Sequence, residues 1–389
     1  MKILYPGSLP QFGTDRAVRD GLIKHGAEVE SVSFTVFTKD YQLWDRIEGF
    51  FKRWIVLPFF SEPVDDPVMA ARGFRYLARE TFPQRILDAY NQDILKKLDE
   101  FRPDILFLYH YHMIYPETVA FAKSLGAKIF CFFPDDAFKS ISYTKRARDV
   151  VRQLDCVITT KSFNIEELKQ VGVPHVYFMT KGYIPDCHIP VTPTQADYNK
   201  YGGDVVFIGN GYEVQRLDFI ADLAEALPDI KFTVYGKHWE KFTQPWFYYR
   251  LERIKKWRNA WKHVQLGTVI CNEMSTIINT NKIVLGLATP GNRVWKQDLH
   301  TQRSVEIPAC GGFMLAPYNA EIDSLFTEGK EAAYFRSFDD LVEKIRYYLA
   351  HEDERQRIAE AGHRKAVTDY SYYDHAKRIM DIYEEIKDA

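Results

Sequence analysis

GDVVFIGNGYEVQRLDFIADLAEALPDIKFTVYG, Gly203–Gly236, is the stretch whose reading decides the fold. It opens on a short, continuous apolar run that ends in glycine. Residues 214–226 then carry apolar positions at helical spacing, and IKFTVYG closes the unit with a second apolar run. Strands that are apolar on both faces belong to parallel sheets covered by helices. The same alternation continues downstream through HVQLG, a helix at 272–279, KIVLGLA, a helix ending in ACGG, and FMLA. Ser337 followed by Asp340 reads as a capping box before LVEKIRYYLAH, and 372–387 reads as a last helix. Upstream, KILYPG, a helix at 14–25 and EVESVSF repeat the pattern from the start of the chain. A helix over 86–101 stops before Pro103, followed by DILFLYH, a helix near 116–124 and AKIFCFF, then by DCVITT, a helix near 164–170 and PHVYFM. The fold class is α/β, built from repeated right-handed βαβ units.

The pattern breaks at KGYIPDCHIPVTPTQADYNKYGG, residues 181–203, which is rich in proline and glycine and lacks periodicity. It reads as a linker between two doubly wound, Rossmann-like domains, residues 1–190 and 203–371, with the helix 372–389 joining the first. In such pairs ligands bind where strand C-terminal ends face the central cleft.

The 389 residues allow two or three domains. A net charge of −2 and 27% charged residues fit a folded globular chain and argue against a nucleic-acid coat. The five cysteines (Cys131, Cys156, Cys187, Cys271 and Cys310) form no CxxC and are odd in number. That argues for a reducing compartment and against a disulfide framework or cysteine zinc site. MKILYPGSLP lacks a signal-peptide apolar core, and no run of 18 apolar residues occurs. These features point to the cytoplasm.

The most informative motif is DLHTQRSVEIPACGGFML, Asp298–Leu315. A helix beginning near Thr301–Arg303 can offer backbone N–H groups to a phosphate, and Arg303 adds charge-assisted contacts. Glu306, an acceptor-only carboxylate, suits ribose hydroxyls. The competing reading pairs Glu306 with Arg303 on a helix surface and makes ACGG a plain C-cap. Pro308 predicts a short or kinked helix. After the first strand of the second domain, Asn210 and Gly211 lie in a GxG turn where backbone can approach a diphosphate, and Arg216 can neutralise it. The missing third glycine argues against a dinucleotide fingerprint, and a plain βα turn is the alternative. Lys237 is a second phosphate candidate or a solvated loop lysine.

In the first domain His110 and His112 are two apart, hence on one face. No third metal ligand is evident nearby, so no metal site is assigned; His110 reads as an acceptor-side base or orienter, or as a structural histidine. Asp135 and Asp136 follow AKIFCFFP at a strand end; they suit sugar hydroxyls or general-base work, or one of them caps the next helix.

VEIPACGGFML, followed by LFTEGKEAAYFRSFDDLVEKIRYYLAHEDERQRIAEAG, resembles the C-terminal region of the CgeB-like glycosyltransferases, the spore-maturation type within the GT-B group. The resemblance runs from about Asp204 to the end and more weakly into the first domain. Arg303, Glu306 and Cys310-Gly311-Gly312 carry the family pattern, whereas Asp298 stands where many retaining members have a first glutamate. The resemblance implies a GT-B fold, a nucleotide-sugar donor on the second domain, an acceptor on the first, and retaining chemistry without a metal or other cofactor. It implies that Gly267, Thr268 and Val269 hold the base through backbone, that Gly13 and Thr14 form the glycine loop against the cleft, and that the DD pair matches a feature of the first domain. The implied acceptor is a glycan, a lipid-linked sugar or a protein. A GT-B-fold sugar-nucleotide epimerase and a non-catalytic two-lobed binding protein are the alternatives.

KFTQPWFYYRLERIKKWRNAWK, residues 241–262, has seven basic residues and one acidic. Leu251, Ile254, Trp257 and Trp261 fall at helical spacing. That pattern fits a helix on an anionic membrane surface, or one packed on its own domain. WDRIEGFFKRWIVLPFF, residues 44–60, is a second aromatic-basic segment, too short to span a bilayer.

Overall fold

The computed structural model describes residues 1–10, 13–34, 36, 61–62, 68, 76–77, 83–138, 144–243, 251–288 and 298–388. The segment 44–60 lies outside the described residues. The chain divides into two compact units. One holds Met1–Thr180 with Tyr372–Ala389, and the other holds Lys181–Gly291 with Gln297–Ser371.

The first unit carries strands β1 (Lys2–Gly7), β2 (Glu28–Ser33), β3 (Ile105–Tyr109), β4 (Lys128–Phe133), β5 (Cys156–Thr159) and β6 (His175–Phe178). All pair in parallel, in the order β2-β1-β3-β4-β5-β6. The central strands ILFLY and CVIT are buried at every position, as strands covered on both faces require. Helices α1 (Thr14–Lys24), α2 (Gln84–Phe101), α3 (Pro116–Ser124), α4 (Lys145–Val151) and α5 (Ile165–Gln170) join them. Ile86, Leu87, Ile94 and Leu98 of α2 pack into the same core as Leu106 and Leu108 of β3.

The second unit opens with α6 (Gln195–Tyr201) and continues β7 (Gly203–Ile208), α7 (Val214–Ala226), β8 (Phe232–Gly236), α8 (Leu251–Trp261), β9 (Val264–Leu266), α9 (Cys271–Asn279) and β10 (Asn281–Leu285). It ends with α10 (Arg303–Ala309), β11 (Met314–Pro317), α11 (Ala320–Leu325), β12 (Ala333–Phe335), α12 (Phe338–Ala350) and α13 (Glu352–Asp369). The parallel order is β9-β8-β7-β10-β11-β12, the doubly wound plan in which direction reverses between β7 and β10. α12 starts at Ser337, whose hydroxyl accepts from Asp340 N–H at 3.1 Å.

The last helix, α14 (Tyr372–Ile386), returns to the first unit and lies against α1. Gly21 permits this. A Cβ there would sit 2.7 Å from Ala376 Cβ and 3.1 Å from the Tyr372 carbonyl oxygen. Glycine inside a helix costs about 0.5–1 kcal/mol relative to alanine, which the close helix approach offsets.

Two expectations need correction, and one pair of alternatives is narrowed. Residues 181–203 are docked on the second unit rather than left as a bare linker. Lys181 N–H donates to His300 Nε2 at 3.2 Å, Val191 N–H donates to Asn279 Oδ1 at 2.8 Å, and Thr194 with Asp197 forms a capping box that starts α6. Cys187 and Cys271 are joined in a disulfide, 84 residues apart, while Cys131, Cys156 and Cys310 are buried thiols. Pairing across such a separation leaves no trace in cysteine spacing. Finally, α8 turns Trp257 into its own unit. The indole is 1% exposed, donates to Asp218 Oδ1 at 2.9 Å and packs on Phe242. Trp261 leans on the same core, and residues 244–250 lie outside the described residues. Among the described residues no helix is long and apolar enough to cross a membrane.

Two predictions follow from the packing of the first unit. Gly21→Leu overfills the α1–α14 contact and destabilises that unit by about 1–3 kcal/mol, read as a lower thermal or urea midpoint. His375 is buried and His112 half-buried with its ring enclosed beside His110 and Arg146, and desolvation lowers their pKa values to about 4 and about 3. Each is held neutral when folded, yet binds a proton below about pH 6.5 when unfolded. Stability is therefore full above about pH 6.5 and falls as pH drops toward 4. The slope approaches about 1.4 kcal/mol per pH unit per histidine. Urea unfolding between pH 7.5 and 4.5 checks this, and His375→Phe should remove about one proton from the slope.

Candidate functional site

At the C-terminal ends of β7 and β8, a cavity of about 300 Å³ opens in the second unit. It is built from Gly209–Asn210, Gly236–Lys237, Gly267–Val269 and two side chains of α10, Arg303 and Glu306. The loops after the two strands are zipped together. Gly209 N–H donates to Tyr235 O at 2.8 Å, Gly211 N–H to Lys237 O at 2.9 Å, and Lys237 N–H to Asn210 Oδ1 at 2.9 Å. Trp239 Nε1 donates to Gly209 O at 2.8 Å, and Gly267 N–H to Gly236 O at 3.2 Å. Gly236 has φ +149°, and a Cβ there would lie 2.0 Å from the Gly209 carbonyl oxygen. Only glycine fits that crossing.

This pairing corrects one expectation about the GxG turn. The Gly209 and Gly211 N–H groups bond within the loops. Gly211 packs on Trp239 and is absent from the cavity wall. The turn shapes the wall, and the amides of its two glycines are not donors to the cavity. The Lys237 side chain is exposed at the cavity edge.

Arg303, the first residue of α10, is largely buried. Its Nη2 donates to the Leu287 carbonyl at 2.6 Å, and its guanidinium lies 5.3 Å from the Phe207 ring centroid. Among the described residues it forms no ion pair with a carboxylate, and its Nε has no hydrogen-bond partner. Burial first, then the neighbouring Arg216, lowers its pKa to about 10. It stays cationic at neutral pH.

Arg216 behaves differently from expectation. It is 6% exposed and donates to Asn210 O at 2.8 Å and Ala288 O at 3.2 Å, with Glu213 at 3.4 Å. It lines a separate, mainly apolar cavity with Phe219, Leu287 and Phe335. Its charge braces two loops from behind. Thr301 is also turned inward, with its N–H donating to Ser304 Oγ at 3.1 Å and a buried hydroxyl that has no partner. α10 is a seven-residue helix with Pro308 inside it. Asp298 is half-buried, and its negative charge acts on Arg216 and Arg303.

Glu306 lies one turn beyond Arg303 and faces the same cavity. Its Oε1 is 3.4 Å from His188 Nε2. His188 comes from the proline-rich stretch, and no spacing or periodicity marks it. A stacked Tyr212–His238 pair, 4.3 Å between centroids, stands beside the cavity and was equally invisible in sequence. Gly267, Thr268 and Val269 also line an adjoining polar cavity of about 360 Å³ with Lys200, Lys231 and Glu273.

In the first unit, Gly13 precedes α1, where a Cβ would meet Asp15 Oδ1 at 2.5 Å. Thr14 Oγ1 is 2.5 Å from Tyr109 OH. His110 ends β3 with φ +69°, a strained left-handed conformation for a non-glycine residue. Its Nε2 lies 3.6 Å from Asp135 Oδ2, and Asp135 is 66% exposed. Asp136 does not share that environment. It is 7% exposed and accepts from Asn164 Nδ2 at 3.0 Å and Phe138 N–H at 3.2 Å, so it works inside the turn. Among the described residues no group of three or more His, Cys, Asp or Glu side chains is placed to hold a metal.

Residues 216–381 match the family model described as glycosyl transferase-like. The spore protein CgeB of Bacillus subtilis (strain 168) is 20% identical over 305 residues, covering 77% of this chain and 88% of that protein. Among solved structures, sucrose-phosphate synthase of Thermosynechococcus elongatus is similar with TM-score 0.61 at 12% identity, covering 99% of each chain. HepE of Anabaena in complex with UDP-glucose is similar with TM-score 0.59 at 12% identity, covering 99% of this chain and 100% of that one. The doubly wound sheets are those of the GT-B fold, and the family match and the CgeB relative make the chain similar to the CgeB-like glycosyltransferases.

Proposed function

We propose that the second unit binds a nucleoside-diphosphate sugar in the cavity between Lys237 and α10, and that the chain transfers the sugar with retention and without a metal. The observation that carries this is Arg303. A largely buried guanidinium that bonds a carbonyl, stacks on a ring face and, among the described residues, forms no ion pair with a carboxylate is suited to take an anion. A diphosphate supplies it, with Arg303 and Lys237 stabilising the charge that grows as the sugar departs. Glu306 accepts from the ribose hydroxyls. Gly267–Val269 line the walls where the base lies. HepE was solved with UDP-glucose, which agrees with a uridine-type donor.

In the transfer, the bond between the anomeric carbon and the β-phosphate oxygen breaks and its electron pair goes to the diphosphate. The acceptor hydroxyl oxygen bonds to the same carbon on the same face. Its proton passes to the departing phosphate, so no protein nucleophile is assigned. His110, with Asp135, orients an acceptor hydroxyl of a glycan, lipid-linked sugar or protein on the first unit.

Thermal-shift titration with UDP, GDP, TDP and CMP should reveal one stabilising nucleotide. Arg303→Ala and Glu306→Ala should each weaken it by about 10- to 100-fold while the unfolding midpoint without ligand holds. Near-normal turnover in both variants, or an epimer formed from donor alone, overturns this reading. Gly236→Ala drives a methyl into the Gly209 carbonyl, so it should abolish nucleotide binding and destabilise the unit by about 1–3 kcal/mol; calorimetry and urea unfolding measure the two effects.

A further inference from the structure

We propose that His188 is a positioning residue, holding the Glu306 carboxylate in the orientation that recognises the ribose of the donor. The inference rests on the donor-site reading above. His188 does not line the cavity; it acts through Glu306, which does.

The imidazole is 4% exposed, so its ring nitrogens must find protein partners. Nδ1 accepts from Ile184 N–H at 3.0 Å. A ring nitrogen that accepts carries no proton, so in the neutral ring the proton is on Nε2. Nε2 faces Glu306 Oε1 at 3.4 Å. The Ile184 amide thus fixes the tautomer, and the tautomer presents a donor to the carboxylate. Among the described residues no other side chain pairs with Glu306. One carboxylate oxygen is therefore directed by protein, and the other is left for ligand hydroxyls.

The histidine is held by its neighbours. Cys187 and His188 both donate backbone N–H groups to Ile184 O, at 3.0 and 2.8 Å, which closes a tight turn. Cys187 is bonded to Cys271 at the start of α9, and its carbonyl accepts from Ser275 Oγ at 3.3 Å. Gln302, one residue before α10, donates its side-chain amide to Gly182 O. The turn carrying His188 is thus fixed to α9 by the disulfide and Ser275, and its chain is joined to the residue before α10, the helix carrying Glu306, at one place besides the imidazole. A carboxylate on a seven-residue helix interrupted by proline has few other restraints on its rotamer.

Two substitutions separate positioning from simple packing. His188→Asn places an amide oxygen where Nδ1 stood and keeps the Ile184 bond, but cannot reach Glu306. His188→Gln places an amide nitrogen near Nε2 and keeps a donor to Glu306, but gives up the Ile184 bond. The full chain is titrated calorimetrically with UDP, GDP and ADP, each against its 2′,3′-dideoxy form, with Glu306→Ala as the floor. The wild-type chain should prefer the ribose form of its nucleotide by about 10-fold or more, as expected for a charge-assisted hydrogen bond. His188→Asn should reduce that preference to within about threefold of the floor, and His188→Gln should retain most of it. A purely structural histidine gives the reverse pattern, and any result other than loss in Asn with retention in Gln overturns the proposal. Absence of any ribose preference in the wild-type chain overturns the donor-site reading itself and this inference with it. The imidazole ¹⁵N spectrum of the wild-type chain needs no variant at position 188. It should show the His188 proton on Nε2, with a resonance that shifts in Glu306→Gln; an Nδ1-protonated ring, or no shift, overturns the assignment.

Discussion

A largely buried guanidinium that, among the described residues, forms no ion pair with a carboxylate is the constraint around which the second unit's cavity is arranged. Arg303 remains cationic because its pKa falls only to about 10, helped by a carbonyl bond, the face of Phe207 and the more distant charges of Glu306, Asp298 and Glu213. An isolated buried charge is costly, and a protein retains one where a ligand completes it. The position is also the one the topology favours. Arg303 bonds the chain just past β10, at the point where strand order reverses beside β7. The cavity, its cation and its carboxylate meet where a doubly wound sheet leaves a crevice.

The walls of that crevice are made rigid by a backbone arrangement that excludes side chains. The Gly236–Gly209 crossing, the Asn210 side chain on the Lys237 amide and the Trp239 indole on the Gly209 carbonyl join two loops into one surface. The cost is that those amides no longer point at a ligand. The largely buried arginine and the exposed lysine that line the same cavity are then its cationic side chains.

Much of the fold was legible because its signals are local. Continuous apolar strands, Pro103 after α2 and the Ser337 cap each act within a few residues. The pairing of Arg303 with Glu306 on one wall was legible for the same reason, since both lie on one short helix. What failed was non-local. Asp135 and Asp136 are adjacent and chemically identical, yet one is exposed beside His110 and the other is consumed by Asn164, 28 residues away. Trp257 fits a membrane-facing stripe or a helix packed on its own unit equally in sequence, and the packing is seen only in its contacts with the distant Asp218 and nearer Phe242. Residues 181–203 show no period because their restraints are a disulfide, a capping box and single hydrogen bonds to distant side chains. His188 was hidden there for that reason.

The two arginines near Phe207 show how similar residues divide one task. Both guanidiniums lie over the same ring, at 5.3 and 5.8 Å, and Arg216 lowers the Arg303 pKa while Glu213 and Asp298 favour the charge of both. Arg216 has two carbonyl acceptors and Glu213, so its bonding capacity is largely used. Those carbonyls belong to Asn210 and Ala288, which sit on the loops after β7 and β10. Arg303 takes its carbonyl from Leu287, next to Ala288. Arg216, with more acceptors around it, thereby steadies the chain to which Arg303 is bonded. Electrostatic recognition is strongest when donors are already aimed and need no reorganisation as charge develops. An arginine that meets no ligand can therefore contribute to binding as much by fixing its neighbour as a second phosphate contact would.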